Sequence, residues 1–166
     1  MDGDSGAFEL NIAVEPDDID QFGHVNNIVY LRWVQDAAAA HWTAIAPASD
    51  REKLQWVIVR HEIDYKQAAF LGDEIIARTW VGNARRIRFE RHTEILRARD
   101  RAILAKAVTL WCPIDTGTGK ITLVSPEAKG AVFSTALRSE LHGLSIFRRS
   151  PGRSRALEQP SGQPET

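Results

Sequence analysis

Hydrophobic and polar side chains along the chain follow two different periods. Residues 8–14 alternate apolar with polar positions, which predicts a half-buried strand that Pro16 ends. Between Ile28 and about Ile45, apolar side chains instead recur every three or four residues and cover most of the cylinder. Asn26 or Asn27 is the expected N-cap of this helix. We therefore predict one strand followed by a helix that is buried on several sides.

The second half of the chain returns to the alternating pattern of strands. Turn signals lie at 70–73, at Gly82-Asn83 and at Arg99-Asp100. Alternating runs occupy residues 56–65, 74–81, 86–97 and 102–113, and a short extended piece occupies 120–124. Strands at hairpin spacing are antiparallel. One apolar helix and one long sheet predict an α+β fold in which a curved antiparallel sheet wraps around the helix.

A last helix and a polar tail complete the pattern. Ser125 and Pro126 form the expected start of a helix that runs to about Leu141, with Gly143 beyond it as a stop. We place a single domain at residues 1–147 and predict that the tail, 148–166, is disordered because it is rich in Ser, Pro, Gly and Arg. A single sheet around one helix leaves a face or an edge uncovered, which predicts a homodimer or homotetramer.

Composition narrows the range of functions. The 166 residues are 43% hydrophobic and 26% charged with a net charge of −1, which gives no general reason to expect nucleic acid or an anionic membrane surface as partner. Cys112 is the only cysteine, so no internal disulfide can form, and a cytoplasmic location is expected. No apolar run approaches the roughly 18–20 residues needed to span a bilayer.

The segment Asp18–Trp33 concentrates the reactive side chains directly before the apolar helix. It reads Asp-Ile-Asp-Gln-Phe-Gly-His-Val-Asn-Asn-Ile-Val-Tyr-Leu-Arg-Trp. This segment and the order of elements resemble the hotdog-fold acyl-CoA thioesterases of the 4-hydroxybenzoyl-CoA thioesterase type. The similarity runs from about Phe8 to Glu127 and includes the basic stretch 84–92. It implies hydrolysis of an acyl-CoA to the free acid and CoA, without a cofactor.

The resemblance places the catalytic carboxylate at Asp20, which would attack the thioester carbonyl or activate a water. A loop carboxylate or a cap is the alternative for this residue. His24 is either a general acid/base or a structural histidine, and Asp18 is expected to hold the loop in place. Backbone N–H groups at the helix start, around Val25 to Asn27, are the expected oxyanion donors, which adds Asn27 to the catalytic candidates.

Substrate-binding residues are predicted in two places. In the loop and helix, Gly23 and Val25 would approach the substrate with backbone atoms, and Tyr30 would line the acyl pocket unless it belongs to the core. At the start of a strand, an arginine cluster would hold the CoA phosphates unless it is a solvated edge. Alternation puts Arg86 and Arg88 on one face and Arg85 on the other. The cluster consists of Arg85, Arg86 and Arg88.

Other functions are open on the sequence alone. Asp18, Asp20 and His24 have the spacing of a metal site, although the resembled family needs no metal. A hotdog dehydratase is disfavoured because the central helix carries no glutamate. An acyl-CoA-binding protein without activity and an acyl carrier protein thioesterase are the remaining alternatives, but Phe22 departs from the loop of the latter.

Overall fold

The computed structural model describes residues 7–134. The predicted end of the last helix and the predicted disordered tail lie outside these residues. A short 3-10 turn spans Pro16–Asp18. The elements are β1 (Phe8–Ala13), α1 (Asn27–Ile45), α2 (Ala48–Lys53), β2 (Leu54–Tyr65), β3 (Glu74–Arg85), β4 (Arg88–Arg97), β5 (Ile103–Asp115) and α3 (Pro126–Ser134).

The five strands form one antiparallel sheet in the order β1-β3-β4-β5-β2, and α1 packs on its inner face. Trp33 and Val34 of α1 are buried against Ile75, Ile95 and Leu104 of the sheet. Asn26 is the N-cap of α1, since its side-chain oxygen accepts the N–H of Ile28 at 3.0 Å. The predicted α+β hotdog architecture is confirmed.

The outer face of the sheet is charged rather than apolar. One row of register partners crosses all five strands with alternating signs. It consists of Glu9, Arg78, Glu94, Lys106 and Asp64. Lys106 pairs with Glu94 at 2.9 Å. The edge strands of this sheet are β1 and β2.

The hairpin between β3 and β4 differs from the prediction. Gly82 and Asn83 are not the turn, because β3 continues through a bulge to Arg85 and the chain reverses at Arg86-Ile87. A Cβ on Gly82 would lie 2.6 Å from Nε2 of His92, so the bare backbone leaves room for that ring. Glycine here marks close packing inside a strand.

Two further features were not predicted. The segment after Pro47 forms the short helix α2. In β2 a bulge between Ile58 and Arg60 shifts the register by one residue. Val57 and Val59 are therefore exposed, although the uninterrupted alternation placed them on the face of His61.

Candidate active site

The loop before α1 closes on itself through backbone hydrogen bonds. Ile19 and Val25 form an antiparallel bridge, and the N–H of Asp20 donates to the carbonyl of His24 at 2.8 Å. The N–H of Gly23 returns to the carbonyl of Asp20 at 3.1 Å. Gly23 has φ of +77°, a conformation that side chains disfavour, so the turn itself requires the glycine.

The carboxylate of Asp20 is half-buried at the mouth of this turn. Its Oδ1 accepts the N–H of Phe22 at 2.8 Å and that of His24 at 3.3 Å. Within residues 7–134, Oδ2 has no hydrogen-bond donor. One oxygen thus fixes the side chain to the loop, while the other is available to a reacting molecule.

His24 and Asp18 hold the loop against the rest of the protein. The His24 ring contacts Phe70 edge-on, at 5.2 Å between ring centroids, and the hydrogen bond to Asp20 comes from the His24 backbone. The buried carboxylate of Asp18 accepts from Arg32 at 2.6 Å and from the N–H of Glu15 at 3.1 Å. The structural interpretation of Asp18 therefore agrees with the geometry.

The donors available for an oxyanion are fewer than the sequence suggested. The N–H of Val25 donates to the carbonyl of Ala69, and that of Asn26 to the carbonyl of Asp18, both at 2.9 Å. Val25 is buried and cannot serve as a donor to substrate in this arrangement. Asn27, the first residue of α1, has an N–H without an acceptor among the described residues. The oxyanion role proposed for three residues is thereby reduced to Asn27.

Tyr30 belongs to the core and not to a pocket wall. It is 2% exposed, and its hydroxyl accepts the N–H of Ala69 at 2.8 Å and donates to the carbonyl of Gln67 at 3.4 Å. Of the two interpretations left open by the sequence, burial favours a core role for Tyr30. Tyr30 instead supports the loop indirectly. It holds the segment that contains Ala69, and the carbonyl of Ala69 accepts the N–H of Val25.

The arginine cluster lies at the opposite end of the sheet from Asp20. Ala13 of β1, just before the loop, pairs with Glu74 at the start of β3, whereas Arg85 ends that strand. Eleven residue steps correspond to about 36 Å along a strand. Asp20 and the arginines of the same chain are therefore too far apart to contact the thioester and the phosphates of one bound CoA molecule at the same time.

Within the cluster, the predicted division between the faces is also wrong. Arg85 and Arg88 are register partners across the hairpin and share a face. Arg86 occupies the turn with φ of +41°. All three are exposed, and none forms an ion pair with another described residue.

The residues proposed as an alternative metal site are not assembled as one. The Asp18 carboxylate is turned to Arg32, and no three or more His, Cys, Asp or Glu side chains of residues 7–134 are grouped as metal ligands. In the same range, no helix has the length and apolar character needed to cross a membrane.

A polar cluster beneath the second half of α1 was not predicted. Nη1 of Arg91 donates to Nδ1 of His41 at 2.9 Å and to Oγ1 of Thr79 at 3.2 Å. Burial, with the nearby guanidinium, lowers the pKa of His41 to about 3, so His41 is neutral at pH 7 and its proton is on Nε2. His61 hydrogen-bonds Thr109 at 2.8 Å, and burial lowers its pKa. The alternation of apolar and polar residues does not reveal such a cluster, because a polar side chain at an inward-facing position breaks the expected pattern.

The described geometry can be compared with known proteins. The sequence pattern of the thioesterase-like superfamily matches residues 14–132, most of the chain. The protein is a member of the thioesterase-like superfamily. No curated protein matched the sequence closely enough to count as a relative.

Solved structures share this fold. A 1,4-dihydroxy-2-naphthoyl-CoA thioesterase from Synechocystis has a TM-score of 0.67 and 21% identity, covering 78% of this chain and 97% of its own. A thioesterase from Thermus thermophilus, solved with coenzyme A and Zn, has a TM-score of 0.66 and 21% identity, with coverages of 75% and 95%. The PA5185 protein from Pseudomonas aeruginosa has a TM-score of 0.71 and 15% identity, with coverages of 79% and 92%. At these identities the likeness establishes the fold.

Proposed function

We propose that the protein is an acyl-CoA thioesterase in which Asp20 is the catalytic carboxylate and the N–H of Asn27 is an oxyanion donor. The observation that carries the proposal is the Asp20 side chain, which is fixed to the loop through one oxygen while the other has no donor among residues 7–134. Membership of the thioesterase-like superfamily and the CoA complex of the Thermus protein support the same reaction.

The proposed reaction uses these groups in a defined order. Asp20 either attacks the thioester carbonyl carbon or removes a proton from the water that attacks it. The carbonyl oxygen becomes an anion beside the Asn27 N–H, at the positive end of α1. The carbon–sulfur bond then breaks, and the CoA thiolate takes up the proton lost by the attacking water, or one from solvent when Asp20 is the nucleophile. In the nucleophilic route, water then hydrolyses the anhydride formed on Asp20, which releases the acid and restores the carboxylate. The products are the free acid and CoA, and no cofactor takes part.

The site is proposed to be completed by a second copy of the chain. β2 is an edge strand of 12 residues, and its exposed Val57 and Val59 make it the least protected part of the sheet. If two copies pair through β2 about a two-fold axis, their sheets run in opposite directions. The β3–β4 hairpin of one copy then lies at the same end of the dimer as the Asp20 loop of the other. Arg85 and Arg88 of the partner copy would then lie on the side of Asp20. We therefore favour a homodimer as the active unit.

Turnover of a panel of acyl-CoAs tests the proposed reaction. We expect thiol release from at least one of acetyl-, octanoyl-, palmitoyl- and benzoyl-CoA, measured with a thiol-reactive chromophore. Calorimetric titration with the same panel separates hydrolysis from binding. Tight binding of an acyl-CoA without thiol release would instead identify a binding protein.

Replacing either arginine of the hairpin pair is expected to weaken CoA binding. Arg85→Ala and Arg88→Ala should each raise KM for the best acyl-CoA roughly 10-fold with little change in kcat, because a charge-assisted phosphate contact is lost. The effect should shrink at high ionic strength.

Lys106→Ala is the matched control for this prediction. It also removes one positive charge, but from the outer face of the sheet. If KM rose equally for the control and for the hairpin variants, the loss of net positive charge would explain the effect. Arg85 and Arg88 would then have no specific role in binding CoA.

A further inference from the structure

An apolar cavity lies at the end of α1 that is far from Asp20 of the same chain. It encloses about 360 Å³ between the second half of α1, the β3–β4 hairpin, β5 and α3. Cavities of this size hold small organic molecules. Its aromatic wall consists of Trp42, Trp56, Phe89 and Trp111. Ala38 on the cavity wall is 11 residues beyond Asn27, about 17 Å along the helix.

Arg91 contributes a buried positive charge to this cavity. Its side chain is 7% exposed, and burial lowers its pKa only to about 10, so it is protonated at neutral pH. Both of its hydrogen-bond partners, the neutral His41 and Thr79, are uncharged. No carboxylate among residues 7–134 forms an ion pair with it. A buried cation without a counterion is costly, so an anion that enters the cavity would be stabilised.

The rest of the wall also lacks groups of negative charge. Of the residues that line the cavity, two are arginines, Arg51 and Arg91, and none is acidic. The wall therefore combines apolar surface with two cationic side chains and no acidic one, and the complementary molecule is apolar with a negative charge.

We propose that this cavity binds a small carboxylic acid with an aromatic or aliphatic body, its carboxylate directed to Arg91. A guanidinium matches a planar carboxylate through two parallel hydrogen bonds, and the aromatic wall covers the hydrocarbon. One buried arginine balances a monoanion better than a phosphate dianion. The inference does not rest on thioesterase activity.

Calorimetric titration of the full chain at pH 7 tests the proposal with two matched pairs of probes. Octanoate is compared with octanamide, and benzoate with benzamide, since each pair has nearly the same shape and differs in charge. We expect at least one acid to bind 10-fold or more tighter than its amide. Tryptophan fluorescence should change on binding, because three of the five tryptophans line the cavity. Equal affinity for acid and amide, or no binding of either acid, would overturn the proposal.

Variants locate the site. Arg91→Met should weaken binding of the acid 10-fold or more and leave the affinity for the amide unchanged. Ala39→Phe, at an exposed position of the wall, should weaken both probes by narrowing the entrance. Arg60→Met removes an exposed arginine of β2 outside the cavity and should change neither. Acid binding that survives both Arg91→Met and Ala39→Phe would place the carboxylate elsewhere.

Discussion

Replacing Asp20 with asparagine is expected to lower kcat for acyl-CoA hydrolysis about 100-fold or more, since an amide neither attacks a carbonyl nor takes up a proton as a carboxylate does. The loop should survive the change. The amide oxygen can still accept the N–H groups of Phe22 and His24, the two bonds that position the side chain. Loss of activity in Asp20→Asn would therefore report chemistry and not misfolding.

The measurement compares kcat and unfolding midpoint for three proteins. Asp17→Asn is the matched control, because Asp17 is an exposed carboxylate of the neighbouring 3-10 turn. We expect it to keep the activity and stability of the unchanged protein. If Asp20→Asn retains turnover within about twofold of the control, the catalytic assignment is wrong, although the fold assignment stands.

Acid is expected to destabilise the protein strongly through His41. Its pKa is about 3 when folded, against 6.5 when unfolded, so the unfolded chain binds more protons below pH 6.5. The stability contributed by neutral His41 is complete above pH 6.5. It is lost as the pH falls towards 3, at about 1.4 kcal/mol per pH unit. Between pH 6.5 and 4 the loss amounts to about 3 kcal/mol.

His41→Gln isolates this contribution. The glutamine oxygen can accept from Arg91 but does not titrate, and all other ionisable groups are unchanged. Free energies of unfolding from denaturant titrations at pH 6.5, 5 and 4 should fall about 3 kcal/mol less in the variant. His61→Gln serves as a comparison at a less buried histidine, for which we expect a smaller effect. Parallel pH profiles for His41→Gln and the unchanged protein would show that His41 is not the acid-sensitive group.

Local sequence accounts for much of the fold. The apolar repeat of α1, the Asn26 cap and the alternating strands are each encoded within a few residues, because side-chain period and capping depend on near neighbours. The predictions failed where the pattern was interrupted. The bulges in β2 and β3 each insert one residue, and a single inserted residue moves every later side chain to the other face.

The sequence by itself determined the hotdog architecture, the loop that carries Asp20 and the helix start beside it. Only the tertiary structure decided which N–H groups of the loop are free to bind substrate. The N–H of Val25, for example, donates to the carbonyl of Ala69, which is distant in the chain. It also placed Arg85 at the other end of the sheet from Asp20, and it buried Arg91 against His41, 50 positions earlier. Hydrogen-bond partners and burial arise from contacts between distant segments, and the periodicity of a single strand or helix does not contain them.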